Sequence, residues 1–236
     1  YHSYDQHCLN ILVFIQKLDL LNITTFVQDW GSLIGMRIVG ENPNYFARVI
    51  LANGDLPSFK TDSNPFYIPN PVVVNPKINL LKPAVAKYAL KGMDYWFQSW
   101  ILFCLNNMNT FVGEVINLST EVNLTEAETA GYQAPFPSFI FMAGPRTLPS
   151  MNAGIRGQQK VAIEGLKKFE KPFLSLIGLK DRLLGRRSIQ KKWIAIVPGA
   201  KGQNHEQFEN ANHFIQEDIG DIMADRTHQF ILNNPI

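Results

Sequence analysis

The amino-acid sequence predicts an α/β fold: a mostly parallel sheet with helices on both faces and an inserted helical cap. Three observations carry that prediction. The apolar runs Ile23–Val27, Arg48–Ala52 and Pro172–Ile177 read as short strands that alternate with helical apolar repeats, the pattern of a parallel sheet with crossover helices. Between Pro57 and about Pro149 the character shifts, with prolines clustered at 65 to 76 and aromatic, helical stretches after them but no clear strand. The pentapeptide Gln28-Asp29-Trp30-Gly31-Ser32 follows its strand directly and leads directly into a helix face, so the chain turns sharply at Asp29.

Taken in order, a helix is expected from Asp5 to Leu18, with an apolar face of Ile11, Phe14, Ile15 and Leu18, and a turn at Asp19–Asn22. Strand Ile23–Val27 and a helix bearing Leu33, Ile34, Met36, Ile38 and Val39 come next, then strand Arg48–Ala52. After the insertion follow strand Pro172–Ile177, a helix around Ser188–Lys192, a strand Trp193–Val197, and a terminal helix after His213 that carries Ile219, Ile222 and Met223. The expected organisation is therefore a core domain over 1–56 and 150–236, interrupted by a cap over 57–149.

Composition narrows the class of function. The chain has 236 residues, 46% hydrophobic and 18% charged, enough for one large core. Lysine and arginine total 22 against 20 acidic residues, so the formal net charge of +2 provides no broad footprint for nucleic acid. No apolar run reaches the roughly 18 residues of a membrane span. Cys8 and Cys104 form neither a disulfide framework nor a metal-ligand spacing, and no glycine-rich loop is placed to cradle phosphate. A cytoplasmic enzyme is expected.

The chemistry centres on Asp29. Serine hydrolases of the α/β-hydrolase type carry G-x-S-x-G at such a strand-to-helix turn, where strain exposes the nucleophile above the sheet. A carboxylate there is ionised at neutral pH without a base, its unperturbed pKa being about 4, and can attack carbon directly to give an ester. The same residues also suit an aspartate N-cap on an ordinary buried helix. The chain order of that fold is nucleophile, acid, histidine. Asp181, in the loop after strand Pro172–Ile177, is the acid candidate; Asp55, after Ala52, is its rival. Of five histidines, His2 and His7 precede the turn, His228 lies inside the last helix, and His205 sits in a polar loop read as solvated, which leaves His213 as the base.

Several long motifs then resemble one family. They include Val27-Gln28-Asp29-Trp30-Gly31-Ser32-Leu33-Ile34-Gly35, Tyr132-Gln133-Ala134-Pro135-Phe136-Pro137, Ala143-Gly144-Pro145-Arg146-Thr147-Leu148-Pro149, Lys180-Asp181-Arg182-Leu183-Leu184-Gly185 and His213-Phe214-Ile215-Gln216-Glu217-Asp218. In that order they resemble the haloalkane dehalogenases, in the subgroup with an Asp-His-Asp triad and two halide-binding tryptophans. The resemblance implies an α/β-hydrolase fold, Asp29 as nucleophile, His213 as base and Asp181 as its acid. It implies Trp30 and Trp100 as halide donors, the latter from the Phe97-x-x-Trp100 match, and Phe97, Leu33, Leu148, Pro149, Leu183 and Leu184 as pocket walls. It implies a small haloalkane as substrate, halide as product, no cofactor and no metal. A monomer without nucleic-acid or membrane partners is expected.

Two features depart from the family. Only 22 residues precede Ile23 and they read as helix, whereas family members open with strands and a His-Gly loop. The first strands are therefore expected to be missing, roughly the first third of the domain, and with them the second oxyanion donor that would join the Trp30 N–H. An epoxide hydrolase shares the Asp nucleophile and would draw on cap tyrosines such as Tyr67, Tyr88, Tyr95 and Tyr132. An inactive remnant is the other alternative. The Phe97-x-x-Trp100 and Ala134–Pro137 matches favour halide chemistry.

Overall fold

A computed structural model describes residues 3–57, 100–101, 103–106, 112–152, 155 and 157–236. The chain forms two compact units, one comprising 1–4, 59–118 and 123–156, the other 5–58, 119–122 and 157–236.

The second unit contains a four-stranded, fully parallel sheet in sequential order. Its strands are β1 (Ile23–Gln28), β2 (Phe46–Ala52), β3 (Phe173–Gly178) and β4 (Glu206–Phe208). Helix α1 (Tyr4–Lys17) precedes β1, and α2 (Trp30–Glu41) links β1 to β2. In the other unit lie α3 (Val112–Asn117), α4 (Glu126–Gln133) and α5 (Ala143–Met151). Helices α6 (Gln159–Leu166), α7 (Arg187–Ile196) and α8 (Ile215–Asn233) complete the sheet unit. Among the described residues no helix is long and apolar enough to cross a membrane.

Strand residues alternate between two cores, as a two-residue side-chain period requires. Val49 and Leu51 of β2 join Met36, Val39, Phe173 and Trp193 on one side, while Ile50 and Ala52 join Leu174, Leu176, Ile215, Met223 and Phe230 on the other. Because both faces of β2 and β3 are covered, those two strands read as nearly continuous apolar runs. Helices α2 and α6 cross at very short range. A Cβ on Gly165 would lie 1.8 Å from the Gly40 carbonyl oxygen, and one on Gly40 2.1 Å from that of Ala162, so only glycine permits the crossing.

Three expectations need correction. Trp193–Ile196 is helix rather than strand, forming the second half of α7. Ile189, Gln190 and Trp193 are its buried residues, a helical spacing, and the strand instead comes after Pro198, at Glu206–Phe208. In α1 the buried stripe is Cys8 and Ile15 with partly buried Leu12, whereas Ile11, Phe14 and Leu18 are 44%, 54% and 55% exposed. The helix has two apolar stripes, and periodicity does not say which one docks. His205 is half-buried rather than solvated: Nδ1 accepts from the Ser175 N–H at 3.0 Å and Nε2 donates to the Ala200 carbonyl at 2.9 Å. Burial lowers its pKa, partly offset by the bond to Ala200.

Candidate active site

The parallel register aligns the carboxyl ends of the strands, with Gln28 beside Ala52, Ala52 beside Leu176 and Gly178 beside Phe208. The residues that leave those ends, Asp29, Asn53, Asp181 and His213, are thereby gathered on one rim, where open α/β sheets bind ligands.

Asp29 has φ 46° and ψ −123°, a sparsely populated region that costs a non-glycine residue about 1–3 kcal/mol. It precedes α2 in the N-cap position but its side chain makes no capping hydrogen bond. An ordinary aspartate cap has extended backbone and accepts from the helix, so the plain N-cap reading fails on both counts. Neighbouring bonds hold the turn. The Asp29 N–H donates to the Asn53 carbonyl at 3.1 Å, and the Ser32 hydroxyl donates to the Asp29 carbonyl at 2.6 Å. The Ser32 hydroxyl also accepts from the Asp55 N–H at 3.0 Å.

His213 Nδ1 lies 2.8 Å from Asp181 Oδ2, and Nε2 lies 3.6 Å from Asp29 Oδ1. Asp181 is 4% exposed and its other oxygen accepts from the N–H groups of Leu183 at 2.9 Å and Leu184 at 3.0 Å. Burial of the imidazole disfavours its charge, but the bond to Asp181 and the charges of Asp29 and Asp181 outweigh it and raise the pKa to about 9. Asp55 faces elsewhere, accepting from Trp193 Nε1 at 2.8 Å and pairing with Lys192. Of the two acid candidates only Asp181 is on the histidine.

Polar residues that the motifs did not single out complete the frame. Asn53 is fully buried; its Oδ1 accepts from the Gly178 N–H at 2.7 Å and its Nδ2 donates to the Asn212 carbonyl at 2.7 Å. Asp218 accepts from the N–H groups of Asn212, Glu121 and Val122 at 2.7, 2.6 and 3.0 Å. Its position follows from a break at Ile219 (φ −143°, ψ 40°), which separates the first turn of α8 from the rest. Gln28 donates from Nε2 to the His213 carbonyl at 3.0 Å. The available signal was a polar residue closing an apolar strand, as at Gln28 and Asn53.

The remaining expected positions fall in different places. Trp30 opens α2 beside Asp29 and is half-buried, as is Leu33. Leu183 is half-buried, and Leu184 packs on the sheet core. Trp100, Leu148 and Pro149 belong to the other unit. There Trp100 stacks on Phe103 at 5.6 Å and lines a cavity of about 80 Å³ with Cys104, Val112, Val115, Pro145 and Arg146. Burial pushes the Cys104 thiol up to about 12, which keeps it protonated and unreactive. Phe97 lies outside the described residues.

A parallel sheet with helices and a carboxylate on a strained strand-to-helix turn, beside a histidine–aspartate pair, defines the α/β-hydrolase fold. Solved structures agree. A haloalkane dehalogenase from Paraglaciecola agarilytica, described as tetrameric, superposes with a TM-score of 0.69 at 19% identity, covering 97% of this chain and 66% of that one. One from Agrobacterium tumefaciens gives 0.68 at 19% identity, over 99% and 74%. No family model matches the chain. In sequence it is 33% identical over 242 residues to the haloalkane dehalogenase of Psychrobacter cryohalolentis, covering 99% of this chain and 68% of the relative. With that of Mycolicibacterium paratuberculosis the identity is 32% over 231 residues, covering 95% and 65%. The chain belongs to the haloalkane dehalogenase family. It spans about two-thirds of the length of the curated relatives it matches.

Proposed function

We propose that the chain hydrolyses the carbon–halogen bond of small haloalkanes to an alcohol and halide. The supporting observation is the juxtaposition of an uncapped Asp29 carboxylate, 3.6 Å from His213 Nε2, with Asp181 at 2.8 Å from Nδ1. In the first step an Asp29 oxygen attacks the alkyl carbon in line with the halogen. The carbon–oxygen bond forms, the halide leaves with the bonding pair, and an alkyl ester remains. The departing anion needs donors, and indole N–H groups donate without an acceptor to repel it; Trp30 and Trp100 are assigned this part. In the second step His213 takes a proton from water, the oxygen adds to the Asp29 carbonyl carbon, and the alcohol leaves with the proton returned by His213. Asp181 orients the ring and stabilises the imidazolium.

The Asp29 charge gives this order a physical reason. While Asp29 is ionised it helps keep His213 protonated, together with the bond to Asp181; esterification removes the Asp29 charge and so shifts the ring toward its neutral, basic form. The segment over 57–149 is assigned as the helical cap, and Leu148 and Pro149 as pocket residues.

The test is bromide release from 1-bromobutane and 1,2-dibromoethane by the purified chain beside Asp29→Asn, with styrene oxide in parallel. Release that disappears in the variant is expected. Turnover of the epoxide without bromide release would replace this reading with an epoxide hydrolase, and inactivity of folded protein on all three would overturn the proposal.

A further inference from the structure

Gln28 closes β1 immediately before Asp29, and its side chain reaches across to the histidine. Nε2 lies 3.0 Å from the His213 carbonyl oxygen and 3.4 Å from the ring Nε2. A carbonyl only accepts, so the group facing it is the amide NH₂, and the second hydrogen of that NH₂ is directed to the ring nitrogen. A donor aimed at Nε2 is compatible with a lone pair there and opposes an N–H. The other side of the ring is set by the Asp181 carboxylate, which accepts from Nδ1–H.

We propose that Gln28 is a positioning residue whose amide holds the His213 ring with Nε2 bare, poised to take a proton from water during ester hydrolysis. This deepens the reading above and rests on His213 being the base. Three polar side chains act on the ring, besides the edge-on Phe214 at 5.0 Å. Asp29, at the start of α2, and Asp181, after β3, are the carboxylates that favour imidazolium; Gln28, at the end of β1, favours the neutral ring. Asp218, on the histidine's own segment, and Glu121, from the 119–122 segment, are engaged with Asn212. Once Asp29 is an ester, one carboxylate charge is gone and of the two carboxylates only Asp181 still favours the imidazolium. The contact to Nε2 is long, so an incoming water can displace it, while the shorter bond to the His213 carbonyl keeps Gln28 in place.

The experiment compares the parent with Gln28→Met and Gln28→Glu. In substrate-free, ¹⁵N-labelled protein the His213 ring nitrogens are followed by NMR against pH, with circular dichroism as the fold control. Loss of one neutral hydrogen bond should raise the His213 pKa by roughly 0.5–1 unit in Gln28→Met. Gln28→Glu, which replaces a donor with a third carboxylate, should raise it further and shift the proton toward Nε2. Rapid-quench measurements with 1-bromobutane should show ester hydrolysis in Gln28→Met slowed about three- to tenfold relative to the bromide burst at neutral pH, as the population of neutral base falls. An unchanged His213 pKa in both variants overturns the proposal, as does a rise confined to Gln28→Glu. If the NMR shifts appear but the parent releases no bromide, Gln28 keeps its positioning role and the dehalogenase reading is what fails. Should Gln28→Met not fold, Gln28→Leu, which likewise removes the donor without adding charge, takes its place under the same criteria.

Discussion

Replacing Asp181 with asparagine probes the step that separates ester formation from ester hydrolysis. Asp181 takes three hydrogen bonds: Leu183 N–H and Leu184 N–H on Oδ1 at 2.9 and 3.0 Å, and His213 Nδ1 on Oδ2 at 2.8 Å. The asparagine carbonyl oxygen would inherit the two backbone donors, and this orients the amide so that its NH₂ faces Nδ1. Nδ1 must then accept, the single proton of a neutral ring moves to Nε2, and the base loses the lone pair that water needs. The same inversion in a serine-protease triad costs about 10⁴ in kcat, roughly 5 kcal/mol of barrier. Attack by Asp29 does not use the base, so alkylation should survive. With 1-bromobutane, Asp181→Asn should release one equivalent of bromide per chain and stall, with a butyl adduct on the Asp29 peptide detectable by mass spectrometry. Steady-state bromide release within about tenfold of the parent would refute the assignment of Asp181 as the residue that orients the base.

Two further outcomes concern stability. The His213 pKa of about 9 lies above the unfolded value of about 6.5, so its imidazolium stabilises the fold fully below the unfolded value, and this contribution is lost as pH rises through 9. Urea unfolding at about pH 6 and about pH 9.5 should show the parent losing up to about 3 kcal/mol relative to His213→Gln; parallel curves for the two proteins would remove the argument. Gly165→Ala places a methyl group where 1.8 Å separates it from the Gly40 carbonyl oxygen. Despite the roughly 1 kcal/mol that alanine gains over glycine in a helix, α2 and α6 must part, and a net loss of about 1–3 kcal/mol is expected in chemical denaturation. An unchanged midpoint would mean the crossing yields without strain.

Local chemistry made much of the architecture legible. Apolar runs mark β2 and β3 because strands buried on both faces tolerate no polar alternation, while the half-buried β1 was legible from its β-branched residues. The turn at Asp29 could be read because the strand, the small residues after it and the helix face are contiguous in sequence. Chain order then singled out His213 among five histidines. Where two local readings were equally good, the sequence had nothing to decide between them. Residues 193–196 suit a strand or a helix by composition, and the buried spacing of Ile189, Gln190 and Trp193 emerges only once α7 packs on the sheet. Helix α1 has two apolar stripes, and the identity of the docked one is a property of the surface it meets.

The choice between Asp181 and Asp55 is of the same kind. Both follow a strand of the sheet, and each is a carboxylate in a polar loop. Tertiary structure gives Asp55 to Lys192 and Trp193 and leaves Asp181 on the histidine, because α7 passes over one loop and the His213 turn over the other. Gln28 and Asn53 became visible for the same reason, since each acts on a partner 185 or 159 residues away. The sequence by itself determined the elements, their order and the chemical groups at the strand ends. Which group meets which was decided by the parallel register and by the helices that cover the sheet, since a hydrogen bond depends on distance and direction in space and the chain prescribes neither until it is folded.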